Sequence, residues 1–182
     1  VLVMFLILTV GFMKVMKSNS RMETDLDEYM PQNHPAFVYS NQAEEWFDIK
    51  DGIIIAVENQ AGIYNSGTIE KVKELTKTLQ KMEQINKDDV TSLYTADNII
   101  GTEDGLDVKP FFKRTPKTFE AMEQLRTNVR NNEMIFGRLV SGDEKVTVII
   151  AEIEDDVFSQ EFYQELLELG KSFQGPEKIH VA

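Results

Sequence analysis

The groups able to do proton or metal chemistry are few and scattered in this chain. Its two histidines, His34 and His180, sit near opposite ends of 182 residues. An imidazole suits general acid–base work at neutral pH, but neither has a nucleophile motif to serve. No G-x-S-x-G stretch raises a serine on a strand-to-helix turn. No G-x-x-x-x-G-K-[ST] or G-x-G-x-x-G stretch cradles a phosphate. His34, beside Pro35, reads as a loop or helix-cap residue. Cysteine is absent, which removes disulfides, thiolate-bound zinc and thiol nucleophiles.

Oxygen ligands for a hard cation occur in two acidic stretches. One holds Asp25, Asp27 and Glu28; the other holds Asp97, Glu103, Asp104 and Asp107 around Gly101 and Gly105. Neither has EF-hand spacing, and both read as solvated acidic loops. Asp155 and Asp156 are adjacent, which suits the positive end of a helix dipole better than a glycosidase pair. The expectation is therefore a chain without catalytic residues, cofactor or metal. Apolar residues outside the periodic stripes are better functional candidates. Phe111 and Phe112 follow Pro110 in a Gly/Pro-rich stretch. They are candidates to line a hydrophobic substrate passage, with the alternative, which we favour, that they pin the loop to the core. Met13, Met16, Met22 and Met30 offer a soft apolar surface near the start of the chain, or ordinary packing there.

The elements that must position these residues follow from composition and period. Nineteen basic against 31 acidic residues give a net charge of −12, which repels phosphate backbones and makes nucleic acid a poor partner. Residues 1–13, VLVMFLILTVGFM, carry no charge, and Lys14 and Lys17 follow. As a helix the run spans roughly 20 Å against a hydrocarbon core of ~30 Å. Three readings fit it: the C-terminal end of a transmembrane helix, a buried core element, or a signal remnant. The length rule favours the first. Residues 14–182 are then the water-facing domain. Two lysines beside an acidic stretch do not fix the orientation.

Beyond that run, strands and helices alternate. Residues 35–47 read as a helix with Pro35 in its first turn. GIIIAVEN from Gly52 is a strand apolar on both faces. Residues 66–86 form the clearest helix, with Ile69, Val72, Leu75, Leu79 and Met82 on one stripe and Ser66 as cap. Residues 90–95 read as a strand, and 97–116 as an extended excursion with little regular structure. Residues 117–131 are helical, with Phe119, Met122, Leu125 and Val129 inward. Residues 134–140 read as a short strand, and 146–153 as another of nearly continuous apolar character. A helix then starts at Asp155 or Asp156 and ends at Leu169, with Phe158, Phe162, Leu166 and Leu169 inward. Lys178 to Val181 is a closing strand. Two β-α-β units of this kind predict an α+β sandwich of ferredoxin-like type. The unalternating strands call for cover on both faces, from within the chain or from a partner.

Several stretches, taken in order, carry a family resemblance. They are the apolar helix end, TDLDEYMP at 24–31 with Asn33-His34-Pro35, SGTIEKVKEL at 66–75 leading to VTSLYT at 90–95, and GRLVSGD at 137–143 before the second apolar strand. Together they resemble the first extracytoplasmic loop of resistance-nodulation-division (RND) exporters, in the branch of the MmpL-type and hydrophobe/amphiphile permeases. The chain departs from that pattern at Asn86-Lys87-Asp88-Asp89, where the family has a short proline-glycine turn. The resemblance implies a periplasmic or extracellular porter domain between two helices of the inner membrane. It implies a second porter domain of the same permease as partner, with other subunits in reach, and hydrophobic or amphiphilic molecules, lipids or drugs, as substrate. Export in the family is driven by ion flux through charged residues in membrane helices that this chain does not hold. The alternative is a membrane-tethered ferredoxin-like sensor or protein-docking domain.

Overall fold

The computed structural model describes residues 2–19, 34, 35, 38, 39, 42, 46, 52–102, 105–153 and 159–182. It divides the chain into two compact units, Val1–Ile49 and Lys50–Ala182.

In the first unit, helix α1 spans Leu2–Asn19, six residues past the expected end at Met13. Every large apolar side chain from Leu2 to Met16 is exposed, from 47% for Leu8 to 85% for Leu2. Its apolar residues go all the way round, which in an aqueous globular helix they do not. Thr9 donates its hydroxyl to the Phe5 carbonyl at 2.9 Å, so the one polar side chain in the apolar run is satisfied inside the helix. Among the described residues no helix is long and apolar enough to cross a membrane. Of the helix expected at 35–47, the described positions Pro35, Val38, Tyr39, Gln42 and Trp46 are helical, and Val38 donates its N–H to the His34 carbonyl at 3.1 Å. The remaining positions lie outside the described residues, as do Asp25, Asp27, Glu28, Met22 and Met30.

The second unit is mixed α+β. Its elements are β1 (Gly52–Glu58), α2 (Ser66–Leu79), β2 (Ile85–Thr91), β3 (Asp97–Thr102), β4 (Gly105–Pro110), α3 (Phe119–Arg130), β5 (Val146–Ile153), α4 (Gln160–Ser172) and β6 (Lys178–Val181). The main sheet has the order β2-β5-β1-β6 and is antiparallel throughout. The β1-α2-β2 and β5-α4-β6 units therefore interleave, with the first strand of each at the centre.

Odd-numbered residues of the central strands, Ile53, Ile55 and Val57 facing Ala151, Ile149 and Thr147, point to one side. There α2 (Val72, Leu75, Leu79) and α4 (Phe162, Leu166) close the main core. On the other side Val148 and Ile150 of β5 pack against a second cluster built from Ile69, Leu93, Phe111, Phe112 and the α3 residues Met122, Leu125 and Val129. This answers the demand for cover: β5 is sandwiched by the chain itself. β1 is not, because Ile54 on that second side stays 45% exposed.

Several expected boundaries move. α2 stops at Leu79 rather than near 86, and its cap is Asn65, which accepts from the Thr68 N–H, not Ser66. Met82 keeps the helical period but packs on the core from the turn that follows. β2 runs over Ile85–Thr91 instead of 90–95, with a register shift between Ile85 and Val90 that absorbs Asp88-Asp89. The excursion at 97–116 is not irregular: it opens with the two-stranded ribbon β3–β4. Residues 134–140 make turns with isolated bridges rather than a strand. Gly137, at φ 82, lets the chain fold so that its N–H reaches the Val140 carbonyl at 2.7 Å. Phe119 is not inward; it is 76% exposed at the first position of α3. α4 starts after Ser159, whose hydroxyl accepts from the Phe162 N–H, later than Asp155-Asp156. It also runs past Leu169. Asp155, Asp156 and Phe158 lie outside the described residues.

Candidate functional site

The features able to act lie on and around the uncovered strip of the main sheet. Ile54 faces Ile150 across the β1–β5 pair, and Ala56 stands between Val148 of β5 and His180 of β6. Val148 and Ile150 are partly buried by the second core, so the open strip centres on Ile54 and Ala56. At its far end Glu58 sits opposite Lys178, and its carboxylate accepts a hydrogen bond from His180 Nε2 at 2.9 Å. The hydrogen bond with His180, reinforced by Gln60, holds the Glu58 carboxyl below its ordinary value. This strip offers an apolar middle and a charged rim.

At the near end the start of β1 and the residue after β6 are held side by side. The Ile54 N–H donates to the Ala182 carbonyl at 2.8 Å, and the Ala182 N–H returns a bond to the Ile54 carbonyl at 2.9 Å. A mostly apolar cavity of about 250 Å³ opens beside them, lined by Gly52, Ile53, Ile153, Tyr163, Leu166, Val181 and Ala182. It is smaller than a site for a whole drug-sized molecule and large enough for part of one.

Two buried carboxylates lock the elements that frame the strip. Glu177, just before β6, receives Thr68 Oγ1 at 2.6 Å and Lys71 Nζ at 2.6 Å. Asn59 Nδ2 and Asn65 Nδ2 donate to Thr68 Oγ1 at 2.9 and 2.8 Å, completing a network from β1 through α2 to β6. Burial pushes the Glu177 carboxyl up, but the Lys71 and Thr68 bonds outweigh it and the group ends below its ordinary value. Glu144, in the turn before β5, takes Arg126 Nη2 at 2.5 Å and also binds Arg130 Nε. Burial again pushes upward and the two guanidiniums win, leaving this carboxyl lowered too. The two arginines sit one helical turn apart on α3, so the pair fixes α3 against the turn. Glu144 itself sits in the left-handed region, at φ 59. Near it, burial raises the Tyr64 hydroxyl pKa, and the Glu144 charge adds to the effect.

Phe111 and Phe112 are 8% and 6% exposed and belong to the second core, where Phe112 packs in a tilted geometry against Tyr94, 5.7 Å between ring centroids. Both rings thus lie within that cluster, with little of either surface open to solvent. Asp97 and Asp107 lie on the ribbon, while Glu103 and Asp104 lie outside the described residues. Among the described residues no group of three or more acidic or imidazole side chains is placed to hold a metal ion. His34 and His180 fall in different units, each described by itself.

The carboxylate locks were missed by a reading based on motifs. Their signal was present in the Arg126/Arg130 spacing and in a glutamate isolated between Pro176 and a strand. The open strip was half visible, since the sequence called for cover without saying which strand lacked it. No protein-family model matches the chain, and no curated protein matches it either.

Proposed function

We propose that the chain is the first porter domain of an RND-type membrane exporter, standing on the periplasmic or extracellular side of the inner membrane. Its substrates are hydrophobic or amphiphilic molecules, and its structural partner is the second porter domain of the same permease, with room for further subunits. The interleaved order β2-β5-β1-β6 supports a ferredoxin-like reading of the main sheet. The apolar helix α1, exposed on every side in its unit, supports a segment that packs in a membrane. The observation that carries the proposal is the Ile54–Ala182 pairing. A domain inserted between two membrane helices must return the chain to where it came in, and the paired ends of β1 and β6 do this within one strand spacing.

On this reading the work is conformational. Lobes rock about packed interfaces and open or close an apolar path, with no covalent step in this domain. Ile54 and Ala56 supply the apolar surface of the strip, and the Glu144 and Glu177 locks keep the lobe rigid while it moves. The same open strip would serve a tethered docking domain, which needs only the anchor before the sheet.

The discriminating experiment uses the full reading frame that encodes this chain. The exporter requires a run of ~20 apolar residues soon after position 182 and a second helix-then-domain pattern downstream. In that full protein, Ile54→Glu abolishes export of a hydrophobic dye from cells while leaving the protein in the membrane at normal level. A frame that stops near Ala182, with the product in the aqueous fraction, refutes the proposal.

A further inference from the structure

The β3–β4 ribbon forms a sheet separate from the main one. Its register puts Ile99 opposite Val108 and Gly101 opposite Leu106, so these residues share one face. Ile99, Val108 and Leu106 are 49%, 52% and 74% exposed. The other face carries Ile100, Asp107 and Lys109, the last two joined by an ion pair of 2.7 Å. Among the ribbon residues whose burial is described, Asn98 alone is buried, and it accepts from Asn132 Nδ2 at 3.3 Å. Two strands alone are marginal in water; stability normally takes a third strand or a packed face. An uncovered edge is also a template for another strand.

We propose that this edge is an interaction surface for a second copy of the chain, with β4 pairing antiparallel to β4 about a two-fold axis through Val108. The charge pattern selects this occupant. The strand reads Leu106-Asp107-Val108-Lys109-Pro110. Reversed on itself about Val108, it sets Asp107 opposite the partner's Lys109 and Lys109 opposite the partner's Asp107. Two cross-strand pairs of opposite charge thus form on one face. β3 has no such symmetry, because Asp97 is its only charge. Pro110 limits the pairing to the one short strand, since it has no N–H to donate. The product is a four-stranded sheet that gathers Ile99, Leu106 and Val108 of both copies on one face. A single edge of this length is far below the area of a permanent interface, so the contact is weak and reversible. The proposal is independent of the exporter reading.

The chain has no native cysteine, so the test is same-site disulfide trapping of the full chain in mild detergent, with copper-phenanthroline as oxidant. Residues opposite one another in an antiparallel pair lie within disulfide reach, whereas Leu106 and its symmetry mate are about four residues, or ~13 Å, apart along the strands. Val108→Cys should yield dimer at least about tenfold faster than Leu106→Cys, although Leu106 is the more exposed of the two. In the Val108→Cys background, Asp107→Lys or Lys109→Asp alone slows trapping, and the double reversal restores it. Equal rates at the two sites, no dimer from Val108→Cys, or no rescue by the double reversal each overturn the proposal. Protection of the Val108→Cys thiol from alkylation in membranes, without dimer trapping, identifies a different partner and overturns it as well.

Discussion

Truncating Phe112 to alanine separates a core pin from a substrate-passage residue more sharply than any other single change. The ring is 6% exposed, lies 5.7 Å from Tyr94 between centroids, and sits among Leu93, Met122 and Leu125. Removing such a ring leaves a cavity in a packed cluster and costs about 3–5 kcal/mol, of which the aromatic pair accounts for ~0.5–1.5 kcal/mol. For a domain of this size each kcal/mol moves the melting midpoint by roughly 3 °C, so a fall of about 10 °C is expected. The assay is thermal and urea unfolding of the chain followed by circular dichroism, with the urea slope checked for constancy. Phe111→Ala should behave similarly, being 8% exposed in the same cluster. Phe119→Ala is the internal control. Its ring is 76% exposed, and its loss should stay within ~0.5 kcal/mol. A loss below about 1 kcal/mol for Phe112→Ala, with substrate binding or export reduced, would refute the pin and revive the passage.

Other outcomes follow from the same contacts. Gly170 lies inside α4, and a Cβ added there would stand 3.0 Å from Val181 Cγ2 and 3.5 Å from Ile179 Cγ2. Gly170→Ala should be near neutral in a melting assay, since the helical gain of ~0.5–1 kcal/mol offsets the contact. Gly170→Leu should cost about 1–3 kcal/mol and loosen β6, read as faster amide exchange at Ile179 and Val181. Glu144 and Glu177 have carboxyl pKa values lowered by folding, so the stability they contribute is fully present above the unfolded value of about 4.3 and fades as pH falls through the folded values. The melting midpoint should therefore hold from neutral pH to about 5 and drop below ~4. Glu177→Gln should lose about 3 kcal/mol at neutral pH by stripping Lys71 of its partner. It should also flatten the acid slope, and an unchanged slope would remove Glu177 from the account.

What the sequence made legible was whatever repeated at a fixed period. The stripe of Ile69, Val72, Leu75 and Leu79 located α2, and the apolar runs at 53–57 and 146–153 located the two central strands, because burial on a sheet or helix leaves its period in the residues. Glycine and proline misled where they were read as breakers. Gly101, Gly105 and Pro110 frame the β3–β4 ribbon, and the alternation of Leu106, Asp107, Val108 and Lys109 carried a strand signal within it. Phe119 kept the α3 stripe yet lies where the body offers nothing to pack against. The site was less legible than the fold. Glu177 meets Thr68 and Lys71 across more than a hundred residues, and no local pattern announces such a partner. Ile54 and Ile55 are neighbours of one residue type, and only the three-dimensional cover decides that one is 45% exposed and the other fully buried.

That asymmetry between the two central strands carries the functional argument further than any polar group does. β5 is covered on both sides by its own chain, so its apolar run needs no outside surface. β1 has a similar apolar run and only one covered side, which leaves Ile54 45% exposed, at a cost of about 1 kcal/mol relative to its full burial. The same residue also pairs its backbone with Ala182 beyond β6. Under the proposed exporter function, this apolar strip, framed by two buried carboxylate locks, is the face against which a second lobe would slide, with molecules of like polarity between them. At the rim of this strip Glu58 and His180 form a hydrogen-bonded pair at 2.9 Å, placed to meet the polar groups of a neighbouring surface.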